Sequence, residues 1–108
     1  VEEIHHTQKL DAPSGTAHTI IKDIISAIER KSEWKLNENS KDNIIGVKAI
    51  REGNVPGTHI VTYDSNVDKI EIKHEAKNRK GFALGAVLAA EFVIGKTGYF
   101  TMDDLLKL

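Results

Sequence analysis

Cysteine is missing from this 108-residue chain. Its absence excludes disulfides, thiol nucleophiles and thiolate metal sites, and it fits a cytoplasmic protein. An excess of one charge is missing too. The formal net charge is -1, which gives no electrostatic reason to expect nucleic acid or a membrane surface as partner. No apolar run reaches the roughly 20 residues that a membrane span takes; the longest, Phe82 to Ile94, is interrupted by Glu91. No signal peptide, repeat or low-complexity tract is visible. The first residue is not Met and already belongs to a strand-like segment, so the chain reads as a fragment. Its length allows one domain with a modest core and leaves no room for a second.

What is present is concentrated near the start, in E-I-H-H-T-Q-K-L-D-A-P-S-G-T-A from Glu3 to Ala17. Pro13 disfavours a helical conformation at Ala12, and Ser14 is a preferred N-cap before a long run of helical periodicity. Gly15 places no side chain between a ligand and the free backbone N–H groups of the first turn, to which the Ser14 and Thr16 hydroxyls can add donors. A carboxylate or a phosphate would fit; the ordinary alternative is a bare cap. Upstream, Val1 to His6 reads as a strand and Thr7 to Pro13 as a loop. On a strand, His5 and His6 point to opposite faces, so one can act on a bound molecule while the other packs or binds. Lys9, on the loop, could bring its ammonium toward the cap. Histidine titrates near neutral pH, and burial or nearby cations can make a lysine a usable acid. Two proton-handling groups beside an anion cradle suit acid-assisted chemistry on an anionic substrate.

The rest reads as scaffold. Ala17, Ile20, Ile21, Ile24, Ile25 and Ile28 form one buried face of a helix running from Ser14 to about Lys31, and His18 is a partly exposed residue of it. Ser32 to Asn43 reads as a connecting loop anchored by Trp34 and Leu36. Three strands follow, over Ile44 to Glu52, Thr58 to Tyr63 and Asp68 to Glu75. In the last, Ile70, Ile72 and His74 alternate with Lys69, Glu71, Lys73 and Glu75, as in a sheet with one wet side. His59 and His74 fall on inward or interface faces, and no spacing among the five histidines supports a metal site. Arg51 and Arg79, at strand ends, could each reach a carboxylate. Phe82 to Ile94 is a helix with almost no polar face, ended by Gly95, and Thr101 with Asp104 caps a short final helix. The expected fold is α+β: a mixed, mostly antiparallel sheet of about four strands, with the long helix packed on one face. Residues 1–79 form the sheet and helix, and residues 80–108 the terminal helices.

Glu3, His5, Lys9, Asp11 and Pro13 to Ala17 together match the pattern E-x-H-x-x-x-K-x-D-x-P-S-G-T-A, nine specified positions at fixed spacing. The chain thereby resembles the 4-hydroxy-tetrahydrodipicolinate reductases, also called dihydrodipicolinate reductases. The resemblance continues through Arg51-Glu52-Gly53, Gly57-Thr58-His59, His74, Arg79 and Phe82 to Ala90. It implies an NAD(P)H-dependent reduction that makes tetrahydrodipicolinate in lysine and diaminopimelate biosynthesis. His5 would be the proton donor/acceptor and Lys9 the proton donor, while His6, Ser14, Gly15 and Thr16 bind the dicarboxylate substrate. It also implies an N-terminal dinucleotide-binding domain for NADH or NADPH, of the Rossmann type that this sequence lacks, which the apolar helix would pack against. A homotetramer formed through the sheets is implied as well. Alternatively, these residues are a dicarboxylate-binding oligomerisation module without turnover of its own.

Overall fold

A computed structural model describes all residues, 1–108. The chain divides into two compact units, Val1–Ala76 and Lys77–Leu108. In the first, the elements run β1 (Glu2–His5), α1 (Gly15–Ala27), β2 (Glu33–Leu36), β3 (Ile44–Arg51), β4 (Thr58–Asp64) and β5 (Lys69–Glu75). They build one sheet in the order β2-β3-β1-β4-β5. β1 pairs parallel with β3 and antiparallel with β4, β2 pairs parallel with β3, and β5 closes an antiparallel hairpin with β4.

The α+β architecture and mixed sheet are as expected, with one strand more. Ser32 to Asn43, read as a loop, contains β2, and the parallel and antiparallel pairings are equal in number. Four residues with two apolar side chains are too short a pattern to signal a strand. What makes it one is the backbone of β3, whose register sets Trp34 opposite Ile45 and Leu36 opposite Val47. Trp34 and Leu36 are the anchors they were expected to be, packed on the core of Ile21, Ile45 and Val47 with Val1, Ile24 and Ile25. His18 is exposed and stands edge-on to Trp34, ring centroids 5.2 Å apart.

α1 is shorter than the periodicity suggests. It stops at Ala27, and Ile28 is already extended while its N–H donates to the Ile24 carbonyl at 2.9 Å. Beyond Ile28 the sequence offers no further apolar side chain to the sheet, and Lys31 instead donates its ammonium to the carbonyls of Lys41 and Ile44, turning the chain into β2. β1 likewise ends at His5, one residue early, and β3 at Arg51.

β5 keeps the expected alternation but not the expected dry side. Pairing His59 with His74, Val61 with Ile72 and Tyr63 with Ile70 puts the two isoleucines on the α1 side of the sheet. Both are left largely uncovered there, Ile70 58% and Ile72 61% exposed. His74 is exposed beside them.

In the second unit α2 spans Lys80–Val93, two residues longer at its start than its apolar run because the Asn78 side chain accepts from the Lys80 N–H at 2.9 Å. It ends before Gly95, whose φ of 73° suits the left-handed turn after a helix. Phe92 meets Phe100 edge-on and carries Lys96 over its face. In the short α3 (Met102–Leu106), Thr101 N–H and hydroxyl both donate to Asp104 Oδ2, at 2.6 and 2.9 Å. No residue of α2 is buried within this chain, and no helix is long and apolar enough to cross a membrane.

Candidate functional site

Strand alternation places Glu3 and His5 on the same face of β1, the face beneath the start of α1. Glu3 is wholly buried, and a carboxylate there requires that its acceptor positions be filled. They are. Arg51 forks onto it, Nη1 to Oε2 and Nη2 to Oε1, both at 2.9 Å; the Ser14 N–H donates to Oε1 at 3.1 Å, and His5 Nδ1 contacts Oε2. Burial pushes the Glu3 carboxyl upward, but the hydrogen bonds from Arg51, His5 and Ser14 together outweigh it and hold the group below its ordinary range. Glu3 is therefore an anion at neutral pH, and His5 Nδ1 donates to it.

Arg51 arrives from β3, in register with His5. Two further donors reach the loop before α1, Nε to the Lys9 carbonyl at 3.2 Å and Nη2 to the Asp11 carbonyl at 2.6 Å, while Nη1 also donates to the Ile50 carbonyl of its own strand at 2.8 Å. One guanidinium thus ties that loop to the sheet.

Ser14 is the N-cap, and its Oγ accepts from the Ala17 N–H at 3.2 Å. The same oxygen lies 2.8 Å from Nε2 of His59, whose ring stands edge-on to His5 at 5.2 Å. Burial lowers the His59 pKa, His5 beside it adds to the effect, and Glu3 opposes it. His59 is thus a neutral ring at pH 7, able to share a hydrogen bond with a hydroxyl.

The sequence-derived site residues fall into three groups. His5 and Ser14 are buried in the Glu3 cluster, with Ser14's N–H and Oγ both engaged. Gly15 and Thr16 are exposed at the first helical positions, where backbone N–H groups have no carbonyl partner within the helix. Nothing lies within 4 Å of a Cβ built on Gly15, so the approach is open. Lys9 holds its ammonium 2.9 Å from the exposed Asp11 carboxylate, with its backbone N–H on the His6 carbonyl. That contact lowers the Asp11 pKa. His6 lies just past β1, half-buried, and its ring takes no part in the hydrogen bonds of the cluster.

Two members had no role assigned from sequence, Glu3 and His59; Arg51 was expected to reach a carboxylate, and that carboxylate is Glu3. For Glu3 the signal was available, since positions i and i+2 of a strand share a face. For His59, and for which carboxylate Arg51 would meet, it was not, because each finds its partner across more than 40 residues of chain. No group of three histidine or carboxylate side chains is arranged to hold a metal ion.

Residues 1–106 match the family described as dihydrodipicolinate reductase, C-terminus. A 4-hydroxy-tetrahydrodipicolinate reductase from Christiangramia forsetii is 58% identical over 99% of this chain and 44% of its own length. The enzyme of that name from Clostridium novyi is 41% identical over 97% of this chain and 44% of its own. This chain thus spans less than half the length of the curated relatives it matches. Among solved structures, a dipicolinate-bound dihydrodipicolinate reductase from Paenisporosarcina sp. TG-14 superposes with a TM-score of 0.63 at 26% identity, over 85% of this chain and 38% of that one. Sequence and fold agree over nearly the whole length, and the chain belongs to the dihydrodipicolinate reductase C-terminal family.

Proposed function

We propose that these residues form the dicarboxylate-handling part of a cytoplasmic NAD(P)H-dependent reductase that converts 4-hydroxy-tetrahydrodipicolinate to tetrahydrodipicolinate in lysine and diaminopimelate biosynthesis. The observation that carries the reading is the pairing of an ionised, fully buried Glu3 with His5 at the foot of an open helix N-terminus. The dipicolinate in the Paenisporosarcina structure is a dicarboxylate, the ligand class such an N-terminus would take.

No strand, Gly-rich turn and helix for a pyrophosphate occurs within these residues. The nicotinamide cofactor, NADH or NADPH, is on this reading held outside them. What they contribute is binding and protons. One substrate carboxylate accepts from the Gly15 and Thr16 N–H groups and the Thr16 hydroxyl, with Ser14 fixing the start of the helix and His6 adding a contact from the strand end. His5, donating through Nδ1 to Glu3, exchanges a proton through Nε2. Lys9 supplies a second proton; its pairing with the exposed Asp11 is a weak tether that substrate charge can displace.

The test is a titration of the full-length protein with pyridine-2,6-dicarboxylate, followed by amide NMR. The Gly15 and Thr16 amides should shift and gain exchange protection, and Thr16→Val should weaken binding about tenfold. A titration that moves other amides and leaves these two unmoved would reject the placement. If the ligand binds there but the protein shows no reductase activity with either nicotinamide cofactor, the second reading holds: a dicarboxylate-binding module without turnover.

Self-association through the sheet belongs to the same proposal. β5 is an edge strand whose outer face reads Lys69, Glu71, Lys73, Glu75. Two copies paired antiparallel about a two-fold axis at Ile72 would set Lys69 against Glu75 and Glu71 against Lys73, with the exposed Ile70 and Ile72 covered on the other face. Such an edge is one contact of a homotetramer.

A further inference from the structure

We infer that Glu3 is a positioning residue for this reaction, a single buried carboxylate that sets the orientation of the His5 imidazole and the place of the helix N-terminus together. The inference rests on the proposed roles of His5 and of the Gly15 and Thr16 amides. An ion pair serving the fold alone would need only the Arg51 fork. That fork takes one acceptor position on each oxygen and stops the carboxylate from rotating. The second position on each oxygen goes to a different part of the site: Oε1 to the Ser14 N–H that begins α1, Oε2 to His5 Nδ1. Acid and cradle are thereby referenced to one rigid group. Arg51 extends the reference to the loop of Lys9 through the carbonyls of Lys9 and Asp11.

The chemical consequence is a defined tautomer. An ionised carboxylate only accepts, so the neutral His5 ring keeps its proton on Nδ1 and offers the Nε2 lone pair, and the charged ring has the Nε2 proton to give. Gly57 leaves Nε2 uncrowded: a Cβ there would stand 3.1 Å from it. The titratable and charged groups around His5 are Glu3 on its own strand, Arg51 on β3 and His59 on β4, and His59 in turn feels His74 on β5 and Lys9 on the loop.

The experiment compares Glu3→Gln and His5→Ala in the full-length protein, by steady-state kinetics and by ¹⁵N NMR of the His5 ring. Glutamine keeps a carbonyl for Arg51 and Ser14 but turns an NH₂ toward Nδ1, so the His5 proton should move to Nε2. kcat should fall on the order of 10²-fold, the worth of a positioned acid, with KM changed less than about threefold. The double variant should be no slower than His5→Ala alone. A normal tautomer and kcat in Glu3→Gln beside a slow His5→Ala would overturn this inference and leave the proposed function standing, as would a loss confined to KM. A fast His5→Ala would instead overturn the proposed function. Should Glu3→Gln not fold, Glu3→Asp keeps the charge and withdraws it by one methylene; wild-type kcat in that variant would overturn the inference equally.

Discussion

Glu3 and Arg51 stand 48 residues apart in the chain and meet through two parallel hydrogen bonds, both 2.9 Å long. They come from neighbouring parallel strands in which Arg51 lies across from His5. The guanidinium therefore reaches diagonally over the sheet to a carboxylate two residues away from its own register position. Every element that bears on the site is attached to this pair or to a residue it holds.

Removing the cation strands the anion. Arg51→Ala should destabilise the protein by about 3–5 kcal/mol at neutral pH, the usual result of breaking a buried pair from one side. The Glu3 pKa in the folded protein lies below its ordinary 4.5. Its contribution is thus fully present above about pH 4.5 and is lost as pH falls through the folded value. Denaturant unfolding at pH 7 and at about pH 3 should show the gap between wild type and variant narrowing in acid; an equal gap at both would mean that Arg51 acts by packing alone.

His59 titrates in the opposite sense from an ion-paired histidine. Its folded pKa is depressed, by burial first and by His5 next. The unfolded chain therefore takes up a proton first as pH drops below about 6.5, and stability declines from there until the folded ring also protonates. His59→Gln, which keeps an amide near Ser14 but cannot titrate, should flatten this part of the curve of Tm against pH. Parallel curves for the two proteins would assign the decline to another group.

Two glycines of the site should respond in opposite ways to alanine. At Gly57, with φ of 157° and a Cβ 3.1 Å from His5 Nε2, alanine should cost about 1–2 kcal/mol and displace the His5 ring signals. At Gly15 the space is empty, so alanine should leave stability unchanged or slightly raised while weakening dicarboxylate binding at least tenfold by filling the approach. Equal stability losses at both positions would show that the surroundings of Gly15 are not open in solution.

The edge of β5 makes a charge-pattern prediction. Lys69→Glu with Lys73→Glu would set four acidic side chains against four across the two-fold pairing and should dissociate it in sedimentation. Reversing Glu71 and Glu75 to lysine as well inverts the pattern without losing complementarity, and association should return. Loss in both variants would show that the contact is elsewhere on the sheet.

Local chemistry was enough to determine α1, because one apolar stripe behind a Ser N-cap is written in consecutive residues. The same holds for the alternation of β5, the Thr101 and Asp104 cap, and the stretch from Glu3 to Ala17 where the site lies. Tertiary structure decided whatever depends on a partner distant in the chain. Glu33–Leu36, within the segment that reads as a loop, becomes a strand only because β3 offers it an unpaired edge. α1 ends early because Lys31 finds carbonyls 10 and 13 residues on. Arg51, for which the sequence suggested a carboxylate without saying which, and His59, which looked like an ordinary interior ring, become members of the site when β1 is laid between β3 and β4. A hydrogen bond is specified by geometry over about 3 Å, and the residues that make one across a sheet leave no periodic trace of each other in the chain.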